Sequence, residues 1–340
     1  MTGLVPAASL VDAIAHFLDL GVLVGVVVDG LAKASLYIMI AAGLSLIFGL
    51  MGVLNFAHGS LTAIGAYLGG LVVVLLVAQA SGDFARLGAF FVAVVVVFAL
   101  LTGFGSLLEV KLIRPLYDRP PLYQILLTFG ITLVLEELLR MVLHFYGIQP
   151  TTKWQEPLGT KPSFLAPTES FSVLGTNIAG LDLFQILFGV VVTAGLWAFL
   201  TRTRYGLYIR AGSEDSEMAE ALGIDIRRAF TVVFGVGVGV TGVAGALLMW
   251  DVAWAAQISL GAEVLLPAFV VVIVGGLGTF RGTVAAGVLV GLVDAVTTEL
   301  FTSDIVGFSA LPQLVIFLIL VVMLVVRPQG LYGVEEVGGH

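Results

Sequence analysis

The chain has 340 residues, 59% of them hydrophobic and 11% charged, and its mean hydropathy is +1.11. A soluble domain must solvate its surface and does not reach that balance, so water is excluded as the main solvent. The formal charge of −8 argues against nucleic acid as a partner, and the lack of cysteine excludes disulfides, thiolate nucleophiles and Cys-ligated metal sites.

Residues 1 to 28 contain no Lys or Arg and so lack the basic region of a secretory signal peptide. Leu10 to Val28 is apolar but interrupted by Asp12, His16 and Asp19, which leaves two readings, an extra span or a helix lying in the interface. Residues 1–29 are accordingly read as an N-terminal extension, 30–333 as the membrane domain and 334–340 as a tail. Runs such as Phe90 to Leu101 are apolar on consecutive positions inside stretches of about 20 residues, the length that crosses a hydrocarbon core of roughly 30 Å. Lipid-facing strands would alternate, so the fold class is all-α, a polytopic bundle. Spans are predicted near 30–50, 60–80, 88–108, 123–145, 182–201, 229–250, 263–279, 281–301 and 311–326. The 263–279 segment carries Pro267, Gly275, Gly276 and Gly278 and is expected to be a broken helix facing a cavity.

Cationic residues mark the cytoplasmic side of short loops. Lys111, Arg114, Arg119, Arg202, Arg204, Arg210, Arg227, Arg228, Arg281 and Arg327 share one set of loops, whereas Arg86, Lys153 and Lys161 fall in the other. The 109–122 loop, the 202–228 loop and the C-terminus are therefore expected in the cytoplasm and the 146–181 segment outside. That outer segment is rich in proline and ends in FSVLGTNIAG, where Gly175, Thr176 and Asn177 suit the turn of a small hairpin. It is either a connector draped over the helices or a docking surface for an external partner.

Gly65/Gly69, Gly235/Gly239, Gly278/Gly282 and Gly287/Gly291 stand in GxxxG register, which lets helices approach closely in lipid. The run from Gly235 to Gly245 fits close packing and also fits a thin helix lining a cavity. Ionisable groups inside spans are costly and so are functional candidates. Asp29 with Lys33, and Glu136 with Arg140, are spaced to pair on one helix face. Asp294 has no local cation and is expected to face the bundle interior or water. Asn55 and His58 in NFAHGSLT suggest a re-entrant break at which side chains satisfy freed backbone groups, a hinge candidate.

Gly212 to Arg228 predicts a short amphipathic helix, with Ser213 as cap, Glu214 and Asp215 in the first turn, and Gly223 as stop. Met218, Ala221 and Leu222 supply an apolar surface. No GxxxxGK[ST], HExxH or GxSxG occurs, so energy is expected from a partner or an ion gradient, and no catalytic residue, cofactor or metal site is assigned.

Several ordered blocks resemble the H-type permease subunits of branched-chain amino-acid ABC importers, the Liv type. They are GLxxIFGLMGVLNFAHG (Gly43 to Gly59), IRPL (Ile113 to Leu116), RYGLYIRAGSEDSEMAEALGID (Arg204 to Asp225), VGGLGTFRGTVAAGVLVG (Val274 to Gly291) and RPQGLYG (Arg327 to Gly333). The resemblance implies that Ser213, Glu214, Asp215, Glu217, Met218, Ala221, Leu222 and Gly223 couple this chain to a cytoplasmic ATPase. It also implies a second permease subunit, two ATPase subunits and an extracytoplasmic substrate-binding protein, all at the lipid membrane of a prokaryotic cell. A urea or short-amide permease of the same superfamily is the alternative solute class. An ion-coupled secondary transporter using Asp294 and Glu136 is the alternative mechanism.

Overall fold

A computed structural model describes residues 17–78, 82–117, 119–150, 152–166, 170–173, 175–302 and 311–333. Most of the expected N-terminal extension, including Asp12 and His16, and the 334–340 tail lie outside these residues. The rest is a helical bundle with one short hairpin. The main helices are α1 (Leu20–Met51), α2 (His58–Val77), α3 (Asp83–Leu108), α4 (Pro121–Phe145) and α5 (Gly180–Arg202). There follow α6 (Arg204–Glu214), α7 (Ser216–Ala221), α8 (Ile226–Leu248), α9 (Leu260–Gly275), α10 (Phe280–Thr302) and α11 (Leu311–Val326). Six of them, α1, α2, α3, α5, α8 and α10, are long and apolar enough to cross a membrane, and α9 and α11 are shorter apolar helices.

The helix expected over 30–50 begins ten residues earlier. Asp19 caps it, accepting from the Gly21 amide at 2.8 Å, and the polar Asp29 does not end it because Lys33, one turn on, pairs with it at 3.2 Å. Thirty-two residues make α1 about 48 Å long, well beyond the roughly 30 Å core. Its middle, Met39 to Ala41, is fully buried, and α5, α8, α9 and α10 pack around it.

Small residues set those contacts, since lipid provides no hydrophobic drive between helices. Gly65 and Gly69 lie against Gly242 and Ala246 of α8, while Gly287 and Gly291 lie against Ile38 and the Gly30–Ala34 backbone of α1. Gly235 to Gly245 is enclosed by α1, α2 and α3, so close packing, not a cavity lining, accounts for its glycines. Gly278 does not continue a helical GxxxG row. It sits in the turn between α9 and α10 with φ +77°, and a Cβ on Gly49 would come within 2.6 Å of its Cα.

Helix α9 ends at Gly275, capped by Gly276, rather than at 279, and Pro267 sits inside it without ending it. The last carbonyls of a helix have no partner of their own. Here the Leu331 and Tyr332 amides donate to the carbonyls of Val274 and Gly275 at 2.8 and 3.0 Å. Two of the sequence blocks, VGGLG and RPQGLYG, are thus the two halves of one contact.

The basic segments gather at one end of the bundle, where Arg210, Arg281, Gly49 and Tyr332 line a single cavity. The 146–179 segment lies at the opposite end, docked rather than projecting. Trp154 bridges to Ala256 by a backbone bond of 2.9 Å and stacks on Tyr67, and the Trp250 indole donates to Thr160 at 3.1 Å. The hairpin pairs β1 (Ser170–Val173) with β2 (Thr176–Ala179) in the register Val173 to Thr176, so Thr176 and Asn177 belong to a strand, not the turn. Gly175, at φ +86°, supplies the turn conformation.

Candidate coupling surface and ionisable clusters

At the basic end the chain leaves α5, turns at Thr203 and runs through two short helices before α8. The Thr203 hydroxyl caps α6 by accepting from the Gly206 amide at 3.1 Å. The expected start of the amphipathic helix at Ser213 is corrected, because Ser213 is still inside α6 and donates to the Arg210 carbonyl at 2.9 Å. Glu214 is the last residue of α6 and not the first turn of the next helix. Asp215, in extended conformation at φ −157°, is the cap, and its carboxylate accepts from the Met218 amide at 2.8 Å. Glu217 then stands in the first turn of α7, where the positive end of the dipole favours it.

Gly223 ends α7 as expected. Its φ is +84°, its amide donates to Glu220, and the following Ile224 amide reaches the Ala219 carbonyl at 3.0 Å. Ala219 is 3% exposed and faces the bundle, whereas Met218 and Leu222 are 57% and 76% exposed and Ala221 is exposed beside them. Asp225 caps α8 from the Arg228 amide at 3.0 Å, so α7 passes into α8 through two short capped turns. The result is a small rigid knob with an uncovered apolar face.

Directly beside it lies a cluster that the sequence reading did not assign. Glu109, fully buried, accepts from Arg114 at 3.0 and 2.8 Å, from the Tyr117 hydroxyl at 2.6 Å and from the Thr231 hydroxyl at 2.8 Å. Residues five apart do not face each other on an α-helix. A single wide π-helical turn over Glu109–Ile113 brings this pair together. Arg114 also donates to the Thr231 hydroxyl at 2.6 Å, so the inner end of α3 is fastened to the base of α8. The IRPL block carries half of this clamp.

Asp294, expected to face the bundle interior or water with no local cation, is buried and meets a cation from a distant part of the chain. It lies 3.3 Å from the Lys33 ammonium and accepts from the Tyr37 hydroxyl at 2.5 Å and the Thr298 hydroxyl at 3.1 Å. Lys33 sits between Asp29 and Asp294, tying α1 to α10. The carboxylate thereby joins two helices across the bundle. Glu136 is likewise not paired with Arg140, which takes Glu137 at 3.3 Å, and Glu136 instead accepts from Ser60 at 3.4 Å.

Asn55 and His58 stand at a true break between α1 and α2. The Asn55 carboxamide accepts from the Ala57 amide at 3.1 Å, and His58 Nε2 meets the Ile40 carbonyl at 3.0 Å and the Thr241 hydroxyl. Both side chains are buried; Asn55 satisfies a freed amide of the break, whereas the carbonyl that His58 meets belongs to the middle of α1. Asn55 and His58 thus meet each other's elements at the α1–α2–α8 junction, while Asp294, Glu136 and α7 are separate sites. Among the described residues, no group of three His, Asp or Glu could hold a metal.

The chain is 28% identical to the high-affinity branched-chain amino acid transport system permease protein BraD of Pseudomonas aeruginosa, over 91% of this chain and 95% of that protein. It is 24% identical to LivH of Escherichia coli K12 over the same shares, and 25% identical to the probable branched-chain amino acid transport permease protein LivH of Methanocaldococcus jannaschii over 89% and 90%. Residues 26–326, from within α1 to the last residue of α11, match the family described as branched-chain amino acid transport system / permease component, and the chain belongs to that family.

Proposed function

We propose that this chain is one of two membrane subunits of an ABC importer in a prokaryotic cell membrane, forming part of the path for branched-chain or other hydrophobic amino acids. A second permease subunit completes the path, two cytoplasmic ATPases drive it, and an extracytoplasmic binding protein delivers solute to the end that carries the 146–179 segment. The names of the matched relatives favour these solutes over urea or a short amide.

The observation that carries the coupling role is the exposed apolar pair Met218 and Leu222 on a doubly capped helix at the basic end. Large apolar side chains presented on a rigid element in the aqueous zone are a docking signal. Seated in a groove of an ATPase, α7 would pass motion through Asp225 into α8, and through the Glu109 clamp into α3.

Leu222→Asp tests this. Burying a leucine contributes about 1.5–3 kcal/mol, so its loss weakens docking by at least about tenfold. In vesicles containing the whole importer, ATP-dependent uptake should fall by that factor while insertion and thermal stability stay at wild-type values. Unchanged uptake with the ATPases retained would sink the assignment.

A further inference from the structure

Between α5 and α10 runs an apolar trough of about 600 Å³, floored by α1 at Leu31, Ser35 and Ile38. Its origin is in the helix packing. Gly189 brings α5 against Ser35 and Gly287 brings α10 against Ile38, so both helices rest on α1 with the trough between them. The trough follows α5 from Ile186 to Trp197, about 16 Å at 1.5 Å per residue, which is the depth of one leaflet of a roughly 30 Å core.

At that end the trough opens into a second cavity of about 430 Å³, and the two share Trp197, Phe280, Arg281 and Tyr332. Arg210, Ser213, Thr201 and Thr279 are the further polar side chains of the second cavity, and no acidic residue lines it. Among the described residues, neither Arg281 nor Arg210 pairs with a carboxylate. One leaflet's depth of apolar wall thus ends in three aromatic side chains and two unopposed cations, the order of chemistry found in an acyl chain, its interface and an anionic head.

We propose that this continuous groove binds an anionic phospholipid, with one acyl chain along α5 and α10 and the phosphate between Arg281 and Arg210. A free phosphate would not use the trough, and a zwitterionic lipid would leave the excess positive charge unmatched. Since Arg210 is on α6 and Arg281 on α10, the head group links the segment that carries the coupling surface to the bundle.

The test is tryptophan quenching of the full chain in vesicles doped with brominated phosphatidylglycerol or brominated phosphatidylcholine. Trp197 forms the trough wall, and Trp197→Phe isolates its contribution. The wild type should prefer phosphatidylglycerol by about tenfold or more, and Arg281→Gln and Arg210→Gln should each cut the preference roughly fivefold. Arg204→Gln, an exposed cation outside the groove, should leave it unchanged. All three replacements are at solvent-reaching side chains, and an unaltered melting temperature verifies the fold. Equal quenching by the two lipids, or a preference that survives the double Arg210→Gln/Arg281→Gln change, overturns the proposal. So does displacement by millimolar inorganic phosphate, which makes the site one for a free anion, or loss of the Trp197 signal in the assembled importer, which makes the trough a protein contact.

Discussion

Arg114→Met probes the clamp that joins α3 to α8. The substitution keeps the aliphatic length but removes the countercharge and both arginine bonds to Glu109, leaving a fully buried carboxylate with only the Tyr117 and Thr231 hydroxyls. Breaking one side of a buried pair costs about 3–5 kcal/mol. Two donors remain and the Arg114 side chain is 29% exposed, so the lower figure, about 3 kcal/mol, applies. Adding Glu109→Gln removes the stranded charge and should restore about 2 kcal/mol, a coupling measurable as a double-mutant cycle. Reversible unfolding in mixed micelles with increasing dodecyl sulfate reads both values. A cost below about 1 kcal/mol for Arg114→Met, the worth of a surface pair, or a double variant no better than the sum of its singles, would refute the clamp.

Two glycine changes should have opposite signs in the same unfolding assay. Gly49→Ala drives a Cβ to 2.6 Å from the Gly278 backbone and should cost about 1–3 kcal/mol, whereas Gly130→Ala, with nothing within 4 Å, should gain about 0.5–1 kcal/mol. Asp294→Asn loosens the Lys33 triad. Its melting temperature should fall while uptake per inserted importer stays ATP-driven and indifferent to a protonophore, and lost uptake at normal stability would return Asp294 to the pathway.

The bundle was legible because apolar length is a one-dimensional signal, and the residues 311–326 read off hydropathy coincide with α11. Errors arose wherever a partner was distant or a local rule had two solutions. A polar Asp29 suggests the end of a span, although the pairing with Lys33 that their spacing predicts lets α1 run through it. The cation of Asp294 is that same Lys33, 261 residues away, beyond any spacing rule. Arg140 had two acidic neighbours a turn away and took Glu137. Ser213 and Asp215 were both competent caps, and Asp215 prevailed because α6 runs through Ser213 to Glu214. Glu109 and Arg114 stand at an interval that only a widened turn brings together, so a buried acid five residues before an arginine was the sole hint. The amphipathic pattern around Met218, Ala221 and Leu222 is local and so was legible, but that this apolar face stays uncovered within the chain is visible only in the fold.

The bond between α9 and residues 331–332 also constrains biogenesis. A ribosome delivers Val274 and Gly275 well before Leu331 and Tyr332 are translated, so the final turn of α9 waits, with carbonyls unmet, until those residues follow. Closure of this part of the bundle therefore follows the synthesis of residues 331–332. A chain stopped before Gln329 should insert yet stay protease-sensitive around 274–280, and a full-length pattern of resistance in that truncated product would show that α9 closes unaided.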